Sequence, residues 1–150
     1  MVSALKKCKK NGITTGSISC NLNAKISKYS DYPIETLVGP EYITGSSRMK
    51  AGTAQKMILN MISTSVMIKL GKVYGNLMVD LMAVNDKLVD RGTRIIMQLT
   101  SLSYDDSLQA LNNAQMSVKT ALVMIIDRCD LNQARERLKK ENGNLRNIIQ

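Results

Sequence analysis

Apolar and polar positions along the chain fall into short alternating segments followed by longer helical ones. Val2 to Asn11 sets Ala4 and Leu5 against Lys6, Lys7, Lys9 and Lys10. That pattern predicts a helix with a solvated basic face, and Gly12 stands where a C-terminal cap belongs. Ile13 to Cys20 (ITTGSISC) is β-branched and small, which predicts a buried strand. Asn21 to Ser30 reads as a polar connection with one helical turn around Ala24 to Ser27. Tyr32 to Val38 (YPIETLV) predicts a second short strand, with Pro33 tolerated only near its start. Helix, strand, loop, strand is the order of a parallel α/β sheet. Such a sheet opens on a strand, so the order also implies a strand ahead of residue 1.

Gly39-Pro40-Glu41 reads as a turn and Thr44-Gly45-Ser46-Ser47 as a small-residue loop. The longest predicted helix runs from about Arg48 to Leu70 and stops at Gly71. Its apolar positions, among them Ala54, Met57, Ile58, Met61, Ile62 and Val66, wrap beyond a single stripe. A helix of that kind is expected to be buried on more than one side. Lys72 to Asp80 reads as irregular chain. Asn85 is the expected N-cap of a helix carrying Leu88, Ile95, Ile96 and Leu99. Beyond Thr100, helix starts are expected at Ser103, near Ser117, and at Asp130 or Asn132, the last helix stopping near Gly143. The three helices predict a small C-terminal module with Leu108, Leu111, Leu122, Ile125 and Leu138 inside.

Composition removes several chemistries. The chain has 150 residues and no His, Phe or Trp. A Ser-His-Asp triad, a Cys-His pair and a His-ligated zinc or haem are therefore excluded. Cys8, Cys20 and Cys129 form no CxxC and leave one thiol over in any disulfide scheme, so they read as reduced cysteines of a cytoplasmic protein. The apolar run Met57 to Leu70 is too short and too often interrupted to span a membrane, and the N-terminus lacks the apolar stretch of a signal peptide. The ten methionines read as core filler. The net charge of +9 is spread from Lys6 to Arg146, which predicts a solvated basic surface and no nucleic-acid partner, with a nucleic-acid-binding helical module at the basic C-terminus as the minor alternative.

Val38 to Asn60 carries the chemistry. A turn, a Gly/Ser/Thr loop and a helix start follow one another, with Arg48 and Lys50 in the first turn. Unpaired N–H groups at a helix start favour anions, and cations there oppose the helix dipole unless an anion is bound. The segment is not a P-loop, because GxxxxGK[ST] is absent. The expected substrate-binding residues are Glu41, Thr44, Gly45, Ser46, Ser47, Arg48 and Lys50. Glu41 reads either as a surface turn residue or as a carboxylate that hydrogen-bonds a ligand's hydroxyls or orients Arg48 or Lys50. Ser46 and Ser47 read either as N-caps or as donors to a ligand.

GPEYITGSSRMKAGTAQKMILNMIST, followed by MIKLGKVYGNLMVDLMAVNDKL, resembles the N-acetylmuramic acid 6-phosphate etherase family, a branch of the sugar isomerase (SIS) domain proteins. The same segment more distantly resembles the glucokinase regulatory protein. The similarity also takes in ISCN before Asp31-Tyr32-Pro33 and the C-terminal helices. The resemblance implies an α/β fold, with residues 1–100 as the second half of an SIS domain and residues 101–150 as a small helical module. It implies a lyase that releases D-lactate from N-acetylmuramic acid 6-phosphate and leaves N-acetylglucosamine 6-phosphate, in cell-wall sugar recycling. It implies no metal or cofactor. Etherases of this family are about twice as long and carry their acid/base glutamates in the first half, so the resemblance implies no catalytic residue within this chain and no turnover by it alone. The partners implied are a sugar-phosphate substrate and either a second copy or a complementary SIS half. A non-catalytic sugar-phosphate sensor is the alternative.

Overall fold

The computed structural model describes residues 1–149, which form two compact units, Met1–Ser63 and Thr64 onward. The first unit holds helix α1 (Val2–Lys10), strand β1 (Gly16–Ser19), a 3₁₀ turn at Ser27–Tyr29 and strand β2 (Tyr32–Glu35). Gly12, at φ +68°, ends α1 as its position predicts. β1 and β2 pair in parallel, Gly16 opposite Tyr32 and Ser19 opposite Glu35.

Pro33 fits because of the direction of its neighbours' N–H groups. Tyr32 donates to the Thr15 carbonyl at 3.0 Å and Thr36 to that of Ser19 at 2.9 Å. Residues between them in the alternation point away from β1, so the N–H that proline lacks belongs to the outer side of β2. The strand predicted over residues 13–20 is shorter and less buried than expected. Ser17 is buried, but Ile18 is half-buried and Ile13 exposed, since β1 has a neighbour on one side only.

Helix α2 (Lys50–Lys69) follows, and the boundary between the two units falls within it. Its predicted burial on several sides is not met. Ile58 is its one buried side chain, while Met57, Leu59 and Met61 are each more than half exposed and Ile62, Val66 and Met67 nearly so. The methionines depart from expectation in the same way, none of the ten being buried.

In the second unit, Val73–Met78 is a hairpin rather than irregular chain. β3 (Val73–Tyr74) and β4 (Leu77–Met78) pair antiparallel across a two-residue turn that begins with Gly75 at φ +59°. Helices α3 (Asp86–Thr100), α4 (Tyr104–Asn113), α5 (Val118–Asp127) and α6 (Leu131–Lys140) then pack together. Their expected caps form. Asn85, Ser103 and Ser117 each accept a backbone N–H of the following turn, and Asp130 with Gln133 completes a capping box.

Leu111 and Leu122 lie at the centre of the core as the sequence suggests, with Ile125 and Leu138 packed against it, whereas Leu108 is half-buried outside it. That core is larger than residues 101–149, because it also takes in Val79, Leu81, Ile95 and Ile96. Gly92 makes the closer approach of α3 possible. A Cβ there would stand 3.0 Å from Val118 Cγ2 and 3.2 Å from Leu111 Cδ2. No helix among the described residues is long and apolar enough to cross a membrane.

A polar knot closes the second unit. Lys119, its side chain 9% exposed, donates to the Gly143 carbonyl at 2.7 Å and lies 3.1 Å from Asp80 Oδ1. Lys72 holds the other Asp80 oxygen. Partial burial works against the Asp80 charge, but the two lysines outweigh it and hold the carboxyl below its usual range.

Two substitutions test this packing by urea unfolding. Gly92→Val drives two methyl groups into Val118 and Leu111 and should cost about 2 kcal/mol. Asp80→Asn leaves the buried Lys119 ammonium without its counter-charge and should cost about 2 kcal/mol. The stabilisation that Asp80 supplies is fully present above its unfolded pKa and should disappear as pH falls through the lower folded value.

Candidate functional site

The loop predicted to bind substrate leaves the carboxyl end of β2 and enters α2. In parallel α/β sheets the carboxyl ends of the strands are where ligands collect. The chain after β1 reaches the same place, since the Cys20 thiol donates to the Ala51 carbonyl at 3.7 Å.

Glu41 organises the loop. Its two carboxylate oxygens accept one N–H each, from Lys50 and from Ala51, both at 3.0 Å. The next two N–H groups of α2 are also taken. Gly52 donates to the Ser47 carbonyl at 2.9 Å and Thr53 to that of Met49 at 3.3 Å. The expectation of free N–H groups at this helix start is therefore corrected. The anion that complements the helix dipole is a glutamate of the same loop. Lys50 and Ala51 N–H groups hold the Glu41 carboxyl below the usual glutamate range, against a small cost of desolvation and with help from the Lys50 charge.

The chain between Glu41 and Lys50 is a tight excursion. Ser46 donates its N–H to the Ile43 carbonyl at 3.0 Å, and Gly45 turns the chain at φ +83°, where a side chain would be strained. Thr44, Gly45, Ser47, Arg48 and Lys50 are exposed, while Glu41 and Ser46 are half-buried. Neither Ser46 nor Ser47 caps the helix through its hydroxyl, because Glu41 holds that position. Neither Arg48 nor Lys50 lies in an ion pair with a carboxylate among the described residues. The loop thus presents hydroxyls and two cations to solvent over a helix start that its own carboxylate has closed.

Sequence reasoning missed this capping role because Glu41 lies nine positions before Lys50, outside any local capping pattern. It also missed that the same device recurs. Asp31 accepts from the Thr15 N–H at 2.8 Å and the Thr15 hydroxyl at 2.9 Å. Glu35 accepts from the Asn23 and Ala24 N–H groups at 2.8 and 2.9 Å. The signal was present in the composition, since these are the only three carboxylates before residue 64.

The loop, with its exposed hydroxyls and cations, thus stands at the carboxyl end of a parallel strand pair, the end at which open α/β sheets collect ligands. No protein-family model matches the chain. Curated relatives do. The chain is 52% identical over all its 150 residues to an N-acetylmuramic acid 6-phosphate etherase of Geobacillus sp. (strain WCH70) and covers 51% of that protein. It is 48% identical over 150 residues to the etherase of Geobacillus thermodenitrificans (strain NG80-2), again covering 51%. Against the etherase of Bacillus cereus (strain G9842) it is 49% identical over 143 residues, 95% of this chain and 49% of the relative. The resemblance to these etherases extends over the whole chain, and the chain spans about half the length of the curated relatives it matches.

Amide hydrogen exchange tests the Glu41 clamp. In Glu41→Ala the Lys50 and Ala51 amides should exchange markedly faster while those inside α5 are unchanged. In the unaltered chain, protection should be full above the ordinary glutamate range and fall away only as pH drops through the depressed Glu41 value. Equal exchange rates in chain and variant would show that the clamp does not hold the loop.

Proposed function

We propose that the chain is the carboxy-terminal half of an N-acetylmuramic acid 6-phosphate etherase, a carbon–oxygen lyase of cell-wall sugar recycling in the cytoplasm. The observation that carries this reading is identity of about 50% to such etherases along the whole chain. On this reading residues 1–100 are the second half of an SIS domain, and residues 101–150 are a helical module that shares its core with α3.

The reaction removes the C2 proton of the open-chain sugar, expels D-lactate from C3 and adds water across the double bond. It needs one group to take a proton and one to deliver it. In this chain the loop supplies binding. Arg48 and Lys50 attract the phosphate, Thr44, Ser46 and Ser47 donate hydroxyls, and Gly45 lets the backbone come close. Glu41 positions these groups by closing the helix start. It is poorly placed as the proton carrier, since both its oxygens are engaged and its charge is stabilised. The acid/base carboxylates then belong to a complementary SIS half.

Two observations support such a partner. β1 has an open side, where Gly16 and Ile18 direct their backbone groups away from β2, whereas Pro33 closes the outer side of β2 to further pairing. α2 presents apolar side chains over most of its surface. A parallel strand added beside β1 and a covering surface on α2 satisfy both, through a complementary half or within a homodimer. The second reading, a non-catalytic sugar-phosphate regulator, draws on the same loop and on the engagement of all three carboxylates of residues 1–63 with hydrogen-bond donors of the chain itself.

D-lactate release from N-acetylmuramic acid 6-phosphate tests the reading. The 150-residue chain alone should release none, and the chain co-expressed with the other half of the Geobacillus sp. etherase should release it. Release by the short chain alone would contradict the division of labour, and no release by the pair would leave the regulator reading. In the pair, Arg48→Ala should weaken N-acetylglucosamine 6-phosphate binding about tenfold or more, as expected for loss of a charge-assisted hydrogen bond. Unchanged affinity would remove Arg48 from the site.

A further inference from the structure

The charges of this chain look evenly spread in sequence, but their pairing is uneven. Residues 1–63 carry nine Lys and Arg against three Asp and Glu. All three carboxylates are turned onto N–H and O–H donors of the fold. The four ion pairs among the described residues all lie beyond residue 63. Among the described residues, no cation of the first unit is therefore neutralised by a contact carboxylate.

Four of those cations sit on one short helix. Lys6, Lys7, Lys9 and Lys10 are all exposed, and at 100° per residue they fan over about 160° of α1. Leu5 and Cys8 are half-buried on the other side. Lys6 extends over the Tyr29 ring, 4.6 Å from its centre, which ties α1 to the 3₁₀ turn carrying exposed Lys28. Asp31 moderates only the Lys9 end of this face. The basic helix α6 is different. There Arg137 pairs with Asp127, Arg135 is bound to Gln115, and Glu136 and Glu141 alternate with the cations.

We propose that the α1 face binds the phosphate backbone of duplex nucleic acid without sequence preference. A fan of lysines suits two flanking phosphate strands, because cations on both flanks of the helix reach backbone at once. Lysine alone, with no arginine, asparagine or glutamine on the fan, supplies point charges and no base-reading fork. Tyr29 is covered by Lys6 and offers no platform for stacked single-stranded bases. The interaction is separate from the loop at Glu41 and does not depend on etherase activity.

Fluorescence anisotropy of a labelled 20-base-pair duplex, titrated with the full 150-residue chain, tests the proposal. Four phosphate contacts predict a log–log salt slope of about −3.6, so affinity should fall about a hundredfold between about 50 and 200 mM salt. Two duplexes of unrelated sequence should bind equally. The combined variant Lys6→Gln, Lys7→Gln, Lys9→Gln, Lys10→Gln, which keeps helix propensity, should lose most of this slope. Lys139→Gln with Lys140→Gln on α6 should keep it. No binding at 50 mM salt, or undiminished binding by the α1 variant, would overturn the proposal. Binding to phosphatidylglycerol vesicles with none to duplex would overturn it as well and assign the face to a membrane surface.

Discussion

The first 63 residues depend on one interaction made three times, a carboxylate accepting hydrogen bonds from donors elsewhere in the fold. A two-stranded parallel pair contributes few ladder bonds and leaves its connecting loops without regular partners. Asp31 ties the start of β2 to Thr15 before β1. Glu35, at the end of β2, gathers the Asn23–Ala24 turn. Glu41 closes the start of α2. Each supplies an ionised acceptor, and such hydrogen bonds are about twice as strong as neutral ones. Together they hold three loops that no hydrophobic core encloses.

That arrangement decides what the surface offers. A carboxylate used inside the fold is removed from the pairing of surface charges, so the cations of the same unit stay available. At the loop before α2 this leaves Arg48 and Lys50 beside three hydroxyls, the groups on which the proposed sugar-phosphate site rests. The second unit is built differently. Its helices are locked by apolar packing through the Gly92 notch and by the Asp80–Lys119 contact, and all four ion pairs among the described residues lie in it.

Much of the fold was legible because its signals are local. Asn85, Ser103, Ser117 and Asp130 each lie within three residues of the N–H they accept, so the caps and helix starts could be read directly. The Val73–Met78 hairpin was not legible, since two-residue strands carry no periodicity and only Gly75 hints at the turn. The burial of α2 was misjudged for another reason. Its apolar wrap reports that a cover is wanted but not whether this chain provides it. At the candidate site the residue types were readable and the identity of the resident anion was not. Glu41 reaches its partners across a nine-residue loop, and only the folded backbone brings them together.

The central claim is that the Glu41-clamped loop, in the company of a complementary half, is where the sugar phosphate binds. Amide chemical-shift mapping of this chain within the two-half assembly, titrated with N-acetylglucosamine 6-phosphate, tests it most directly. The largest changes should fall on residues 44–50, with the Lys50 and Ala51 amides still protected by Glu41. Changes confined to residues outside 41–51, or none at saturating sugar phosphate, would contradict it.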